Sequence, residues 1–185
     1  MEQYHPTGQT ALIIVPPHDI CGYADHYRRL YMPDMVQKIE PHITIVYPFA
    51  PYDKLPEIEP KLREVLAAYP HIWVSLRGFS VFRKTGTLYL HLADNERVLS
   101  LYRAVVAAFP EYQAYGGQFG KSLTPHLTVG QFDDPKELDR VYNELSVQHL
   151  YIGFEVEQVV LKYQQDDGIW DTWAELPLME AEGNC

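Results

Sequence analysis

Cysteine is nearly missing from this chain, whose 185 residues hold only Cys21 and Cys185. Two thiols, with no Cys-x-x-Cys and no Cys/His ligand spacing, exclude a disulfide framework and a structural zinc site. Positive charge is also scarce. Fifteen Lys and Arg stand against twenty-five Asp and Glu, a formal net charge of −10. Proteins that grip long nucleic acids by the backbone carry a basic surface, so broad binding of that kind is not expected. A small nucleotide or an RNA end in a locally positive pocket stays open. Long apolar runs are lacking too, with none near the roughly 20 residues of a membrane-spanning helix. The opening Met1-Glu2-Gln3-Tyr4-His5-Pro6 has no basic stretch followed by an apolar run. No secretory signal is read there, and the cytoplasm is the expected location.

What remains is ordinary for a folded chain, 46% hydrophobic and 22% charged, except for fourteen Tyr. Tyrosine combines apolar area with a polar tip, which suits an aromatic-lined cleft as well as half-buried packing. The length fits one domain spanning 1–185, or two small lobes sharing a core.

One pattern occurs twice. Pro41-His42-Ile43-Thr44-Ile45-Val46 is echoed by Pro125-His126-Leu127-Thr128-Val129-Gly130. In a strand, residues two apart share a face. His42 and Thr44 therefore lie together, as do His126 and Thr128, while Ile43, Ile45, Leu127 and Val129 turn into a core. The surrounding pattern predicts a flexible lead-in over 1–9, strands at 10–15, 42–47, 71–76, 80–83 and 87–92, and closing strands at about 150–163 and 169–176. Helices are expected at 19–32, at about 60–69 behind Pro60, from a cap at Asn95 to about 109, and from Asp133-Asp134-Pro135 to about 147. Gly116–Gly120 reads as a loop. Each His-x-Thr strand is followed by an amphipathic helix and then two strands. The expected class is therefore α+β, with two pseudo-symmetric halves, largely antiparallel sheets and a central groove.

Two histidines with ordinary pKa values near 6.5 can hold opposite protonation states around neutrality, one as general base and the other as general acid. Neighbouring hydroxyls can bond the oxygens of a phosphate as it gains charge. Together they suit displacement at phosphorus without a metal.

The paired motifs resemble the signature of the 2H phosphoesterase superfamily, the group of 2′-5′ RNA ligase-like proteins and cyclic phosphodiesterases. The likeness extends to the opening strand Leu12–Val15, to Gly78-Phe79-Ser80-Val81-Phe82 with Leu88-Tyr89-Leu90, and to Val159–Tyr163 with Trp170. It implies a bilobal fold around a cleft and attack on phosphodiesters, often 2′,3′-cyclic ones, with no metal or other cofactor. It implies His42 and His126 as the acid/base pair, His126 favoured as base, and Thr44 and Thr128 on the phosphate. The implied partner is a small nucleotide or an RNA end, and the expected product of a 2′,3′-cyclic nucleotide is the 2′-phosphate. RNA ligation and nucleotide binding without turnover are the alternatives. The acidic balance favours the small nucleotide. Lys121, Arg83, Lys84 and one of Arg28 or Arg29 are candidates to reach the cleft, and Tyr47 or Phe132 to stack on a base. His5, His18, His26, His71, His91 and His149 lack a partner motif and are read as surface or structural.

Overall fold

Eight strands among the described residues, 6–112 and 123–180 of a computed structural model, form one sheet. In chain order the elements are β1 (Pro6–Ile14), α1 (His18–Tyr31), α2 (Pro33–Val36), β2 (Ile43–Val46), α3 (Leu55–Ala67), β3 (Ile72–Phe82), β4 (Thr87–Leu92), α4 (Glu96–Ala108), β5 (His126–Gln131), α5 (Pro135–Leu145), β6 (Ile152–Val156), β7 (Gln158–Gln165) and β8 (Trp170–Pro177). The spatial order is β6-β3-β4-β5-β2-β1-β7-β8, and each neighbouring pair is antiparallel. The expected α+β class holds. Its two halves are not separate sheets, for they join where β2 meets β5 through Ile43 and Leu127. Those residues are 84 apart, the same offset as His42 and His126. The pseudo-twofold therefore runs between the two motif strands.

One face of the sheet carries the main core. Leu12, Ile14, Ile43, Ile45, Leu88, Leu90, Leu127 and Val129 pack there with the apolar stripes of α1, α3, α4 and α5. The other face carries a smaller cluster of Ala11, Ile13, Ile39 and Val160. The alternation along β2 and β5 thus does what the sequence predicts, with the aliphatics buried and the His and Thr half-buried on the opposite side. No helix among the described residues is long and apolar enough to cross a membrane.

Several elements differ from expectation for physical reasons. β1 begins at Pro6, inside the expected lead-in, because its backbone pairs with Gln165 of β7. α3 begins at Leu55 and carries Pro60 internally. The bond lost at Pro60 is outweighed by the burial of Leu55 and Ile58. β3 is one strand, not two. Gly78, with φ +63°, sits in the register shift between Leu76 and Phe79 and lets the pairing with β4 resume. Asn95 stands at the start of α4 but its side chain makes no cap bond; the Glu96 amide donates to Asp94 Oδ1 instead, at 2.9 Å. Asp134 does cap α5, accepting from the Lys136 amide.

The expected strand 150–163 is two strands in different halves. β6 pairs with β3 and β7 with β1, and the chain crosses between them at Glu157. Strands so far apart in the sheet order can be joined by one residue only if the sheet curls. The end of β8 accordingly reaches the start of β3, where the His71 amide donates to the Met179 carbonyl and the Met179 amide to that of Tyr69. Gly116–Gly120 lies outside the described residues.

Candidate active site

The register at the seam sets the geometry of the motif residues. One step beyond the Ile43–Leu127 pair, His42 comes opposite Thr128, and one step the other way Thr44 comes opposite His126. All four share the face turned away from the main core. The two histidines are diagonal neighbours, a spacing of roughly 7–8 Å in an antiparallel sheet.

Each imidazole is held in the same manner. His42 Nδ1 lies 2.8 Å from the Glu40 carbonyl oxygen, and His126 Nδ1 lies 2.8 Å from that of Thr124. A carbonyl only accepts, so Nδ1 carries the hydrogen in both rings. Nε2 is left to exchange protons. Burial pushes the pKa of His42 below its usual range, and the positive charges of Arg28 and His126 act in the same direction. The Glu40 carbonyl and carboxylate oppose the shift. Burial also lowers His126, opposed by its bond to the Thr124 carbonyl.

His42 stands on a buried polar support that the sequence alone does not reveal. Arg28, 2% exposed, donates to Asp25 Oδ1 at 2.7 Å, to the Met35 carbonyl at 3.1 Å and to the Ile39 carbonyl at 2.5 Å. It fastens α1 to the segment that delivers Glu40 and His42. Of the two arginines considered for the cleft, Arg28 is thus a clamp paired with Asp25. The Glu40 carboxylate meets buried Lys162 Nζ of β7 at 2.5 Å. Around His126 the support is aromatic instead. Phe82 and Tyr89 stack at 4.2 Å, and both pack edge-on against its imidazole at 4.9 and 5.1 Å.

Beside His42 and Thr44 opens a pocket of about 270 Å³, walled by Met35, Tyr47, Gln164 and Trp170. The Tyr47 and Trp170 rings lie 5.8 Å apart at 67°. Tyr47 is therefore at the site. Phe132 is a core residue, packed against Tyr31. Arg83 bonds Asp139 of α5, and Lys121 lies outside the described residues. His91 pairs with His126 across β4 and β5, which puts it beside the site, and its Nδ1 is buried with no partner among the described residues. The Cys21 thiol bonds the Pro16 carbonyl, and burial pushes its pKa up to about 11, so it offers no thiolate near neutrality. Among the described residues no three His, Cys, Asp or Glu side chains gather as metal ligands would.

The lowered imidazole pKa values have a consequence for stability. Unfolded histidines titrate near 6.5, so below that pH the unfolded chain binds more protons than the folded one. The stabilising effect is complete above about pH 6.5 and is lost as pH falls through the folded values. We expect the melting temperature to drop between pH 6.5 and 5, with a shallower drop in a His42→Gln/His126→Gln double variant. Equal slopes in thermal melts of the two proteins would contradict this.

A family model described as the 2′-5′ RNA ligase superfamily matches residues 16–168. A Geobacillus kaustophilus protein named "Putative phosphoesterase" is 28% identical over 164 residues, 88% of this chain and 91% of that protein. Among solved structures, TT0787 of Thermus thermophilus superposes with a TM-score of 0.65 at 13% identity, covering 94% of this chain and all of that one. LigT of E. coli complexed with 3′-AMP does so with a TM-score of 0.61 at 11% identity, covering 92% and 98%. At these identities the structural likenesses speak for the fold.

Proposed function

The chain belongs to the 2′-5′ RNA ligase superfamily, and from that membership and its paired His-x-Thr strands we propose a metal-independent phosphodiesterase acting on 2′,3′-cyclic or 2′-5′-linked nucleotides. The whole of residues 1–185 acts as one domain, with no cofactor. The observation that carries this reading is the matched pair of imidazoles. Each has Nδ1 fixed to a backbone carbonyl two residues earlier, and each has the other motif's threonine across the strand pair.

The chemistry follows from these atoms. A phosphate lying between the rings accepts hydrogen bonds from the Thr44 and Thr128 hydroxyls, which hold its non-bridging oxygens as charge builds on them. One Nε2 removes the proton of the attacking water, and the other Nε2–H supplies a proton to the departing oxygen. The backbone carbonyls keep both rings in the required tautomer throughout.

The net charge of −10, with Arg28 and Lys162 already committed to Asp25 and Glu40, favours a small nucleotide or an RNA end over a long nucleic acid. The complexes of E. coli LigT with 3′-AMP and with ATP agree with a small nucleotide. The test is a panel in EDTA: four 2′,3′-cyclic nucleotides, 2′-5′-linked dinucleotides, and RNA halves bearing a 2′,3′-cyclic phosphate and a 5′ hydroxyl. Hydrolysis of the small substrates is expected. Joined RNA as the sole product, or nucleotide binding without turnover, would overturn the reading.

A further inference from the structure

Both halves supply a carbonyl that holds the motif histidine, but the residue that supplies it is charged in one half and neutral in the other. Glu40 and Thr124 are 84 residues apart, like the histidines two places beyond them, and each carbonyl accepts from an imidazole Nδ1. The Glu40 carboxylate meets Lys162 Nζ at 2.5 Å. Lys162 belongs to β7, and β1 lies between that strand and β2. Its register partner is Ala11, in the small cluster on the groove face, and directly opposed side chains share a face. The lysine stem therefore crosses β1 over a methyl group, and its side chain ends up 6% exposed. A carboxylate paired at the surface would escape the desolvation cost of a buried ammonium. The buried route instead places the compensating charge behind the residue that holds His42. Arg28 meanwhile holds the Ile39 carbonyl, so residues 39 and 40 are fastened from opposite sides, by α1 and by β7.

We infer that Glu40 and Lys162 are positioning residues for His42: the ammonium fixes the residue whose carbonyl holds Nδ1–H, and the balance of the two charges sets how readily Nε2 takes a proton, independently of His126. The catalytic consequence rests on the phosphodiesterase reading; the charge balance does not. The charged and titratable groups around His42 come from four elements. α1 brings Arg28 with its partner Asp25, and the Cys21 thiol, which burial keeps uncharged near neutrality. β7 brings Lys162, β5 brings His126, and the ring's own segment brings Glu40 and Tyr47. Arg28 and His126 favour the neutral imidazole, and Glu40 favours the charged one. Lys162, bonded to that carboxylate, sets how much of its charge the ring feels. His126 has an uncharged Thr124 in the equivalent place and lacks this control.

The test is an NMR titration of the imidazole Cε1–H signals in the whole chain, assigned with His42→Gln and His126→Gln. Lys162→Met leaves the carboxylate uncompensated and should raise the His42 midpoint; Glu40→Gln should lower it, each by up to about 1 pH unit. The Glu40→Gln/Lys162→Met double variant should return towards wild type, and His126 should stay in place throughout. A pair that only held the segment together would behave differently. Either single variant would then loosen the same segment, admit water and move His42 upwards towards 6.5. Shifts of the same sign, or no shift in either variant, would therefore overturn the inference. In EDTA, one limb of the kcat/KM profile for a 2′,3′-cyclic nucleotide should follow the His42 midpoint, up in Lys162→Met and down in Glu40→Gln. Opposed NMR shifts in a protein that hydrolyses no phosphodiester would uphold the charge balance and sink the phosphodiesterase reading, a distinct result.

Discussion

His42→Ala and His126→Ala should each lower kcat by about 10²–10⁴-fold, the usual contribution of one positioned proton transfer. The double variant should be much less than multiplicatively worse, because acid and base act in one step and groups that act as a unit are not additive. Binding of a product nucleotide should survive in all three, since the threonines and the Tyr47–Trp170 pocket remain. Single-turnover rates beside calorimetric titration with a nucleoside 2′-phosphate would separate the two effects. Loss of binding in step with loss of rate would mean that the imidazoles hold the ligand rather than move protons.

The second large effect lies one layer behind the site. Arg28→Met should destabilise the protein by about 3–5 kcal/mol, the scale on which buried ion pairs fail when one partner is removed. The side chain is 2% exposed and serves one carboxylate and two carbonyls, so its removal leaves three acceptors short. For a chain of this size that corresponds to roughly 6–20 °C in melting temperature. Arg28→Lys should recover only part of the loss, because an ammonium cannot reproduce the planar fork that reaches all three acceptors. The Ile39 carbonyl adjoins the Glu40 carbonyl that holds His42, so kcat measured well below the melting range should fall as well. An Arg28→Met protein that melts and turns over like wild type would contradict the clamp.

Much of the site is legible in the sequence because strand chemistry has a period of two. The repeat of Pro-His-apolar-Thr-apolar names its own buried and groove-facing residues, and the 84-residue offset points to two equivalent halves, although that the two motif strands pair directly with each other comes only from the register of β2 and β5. Other features depend on pairing, which local pattern does not encode. Residues 150–163 read as one strand, yet the chain changes neighbours at Glu157 because β3 and β1 each require a partner on their outer side. Pro60 reads as a helix start because its missing amide is a local fact, whereas the core that tolerates it inside α3 is not. The pocket is the clearest case. Met35 comes from α2, Tyr47 from the end of β2, and Gln164 and Trp170 from the β7–β8 hairpin. No window of sequence contains them together. His91 likewise reads as surface or structural from its isolation in the chain, and only the β4–β5 register sets it against His126.

The most direct measurement is kcat/KM of the wild type for a 2′,3′-cyclic nucleotide as a function of pH, with EDTA present throughout. That ratio reports the free enzyme's acid and base, and both imidazoles are pushed below their usual range. The account predicts a bell with its optimum below about pH 6.5 and a tenfold loss per unit on the alkaline side. The profile of kcat should lie at higher pH, since a bound phosphate stabilises the imidazolium. A rate that is flat or rising between pH 7 and 9, or that appears only when a divalent metal is supplied, would contradict two-histidine catalysis.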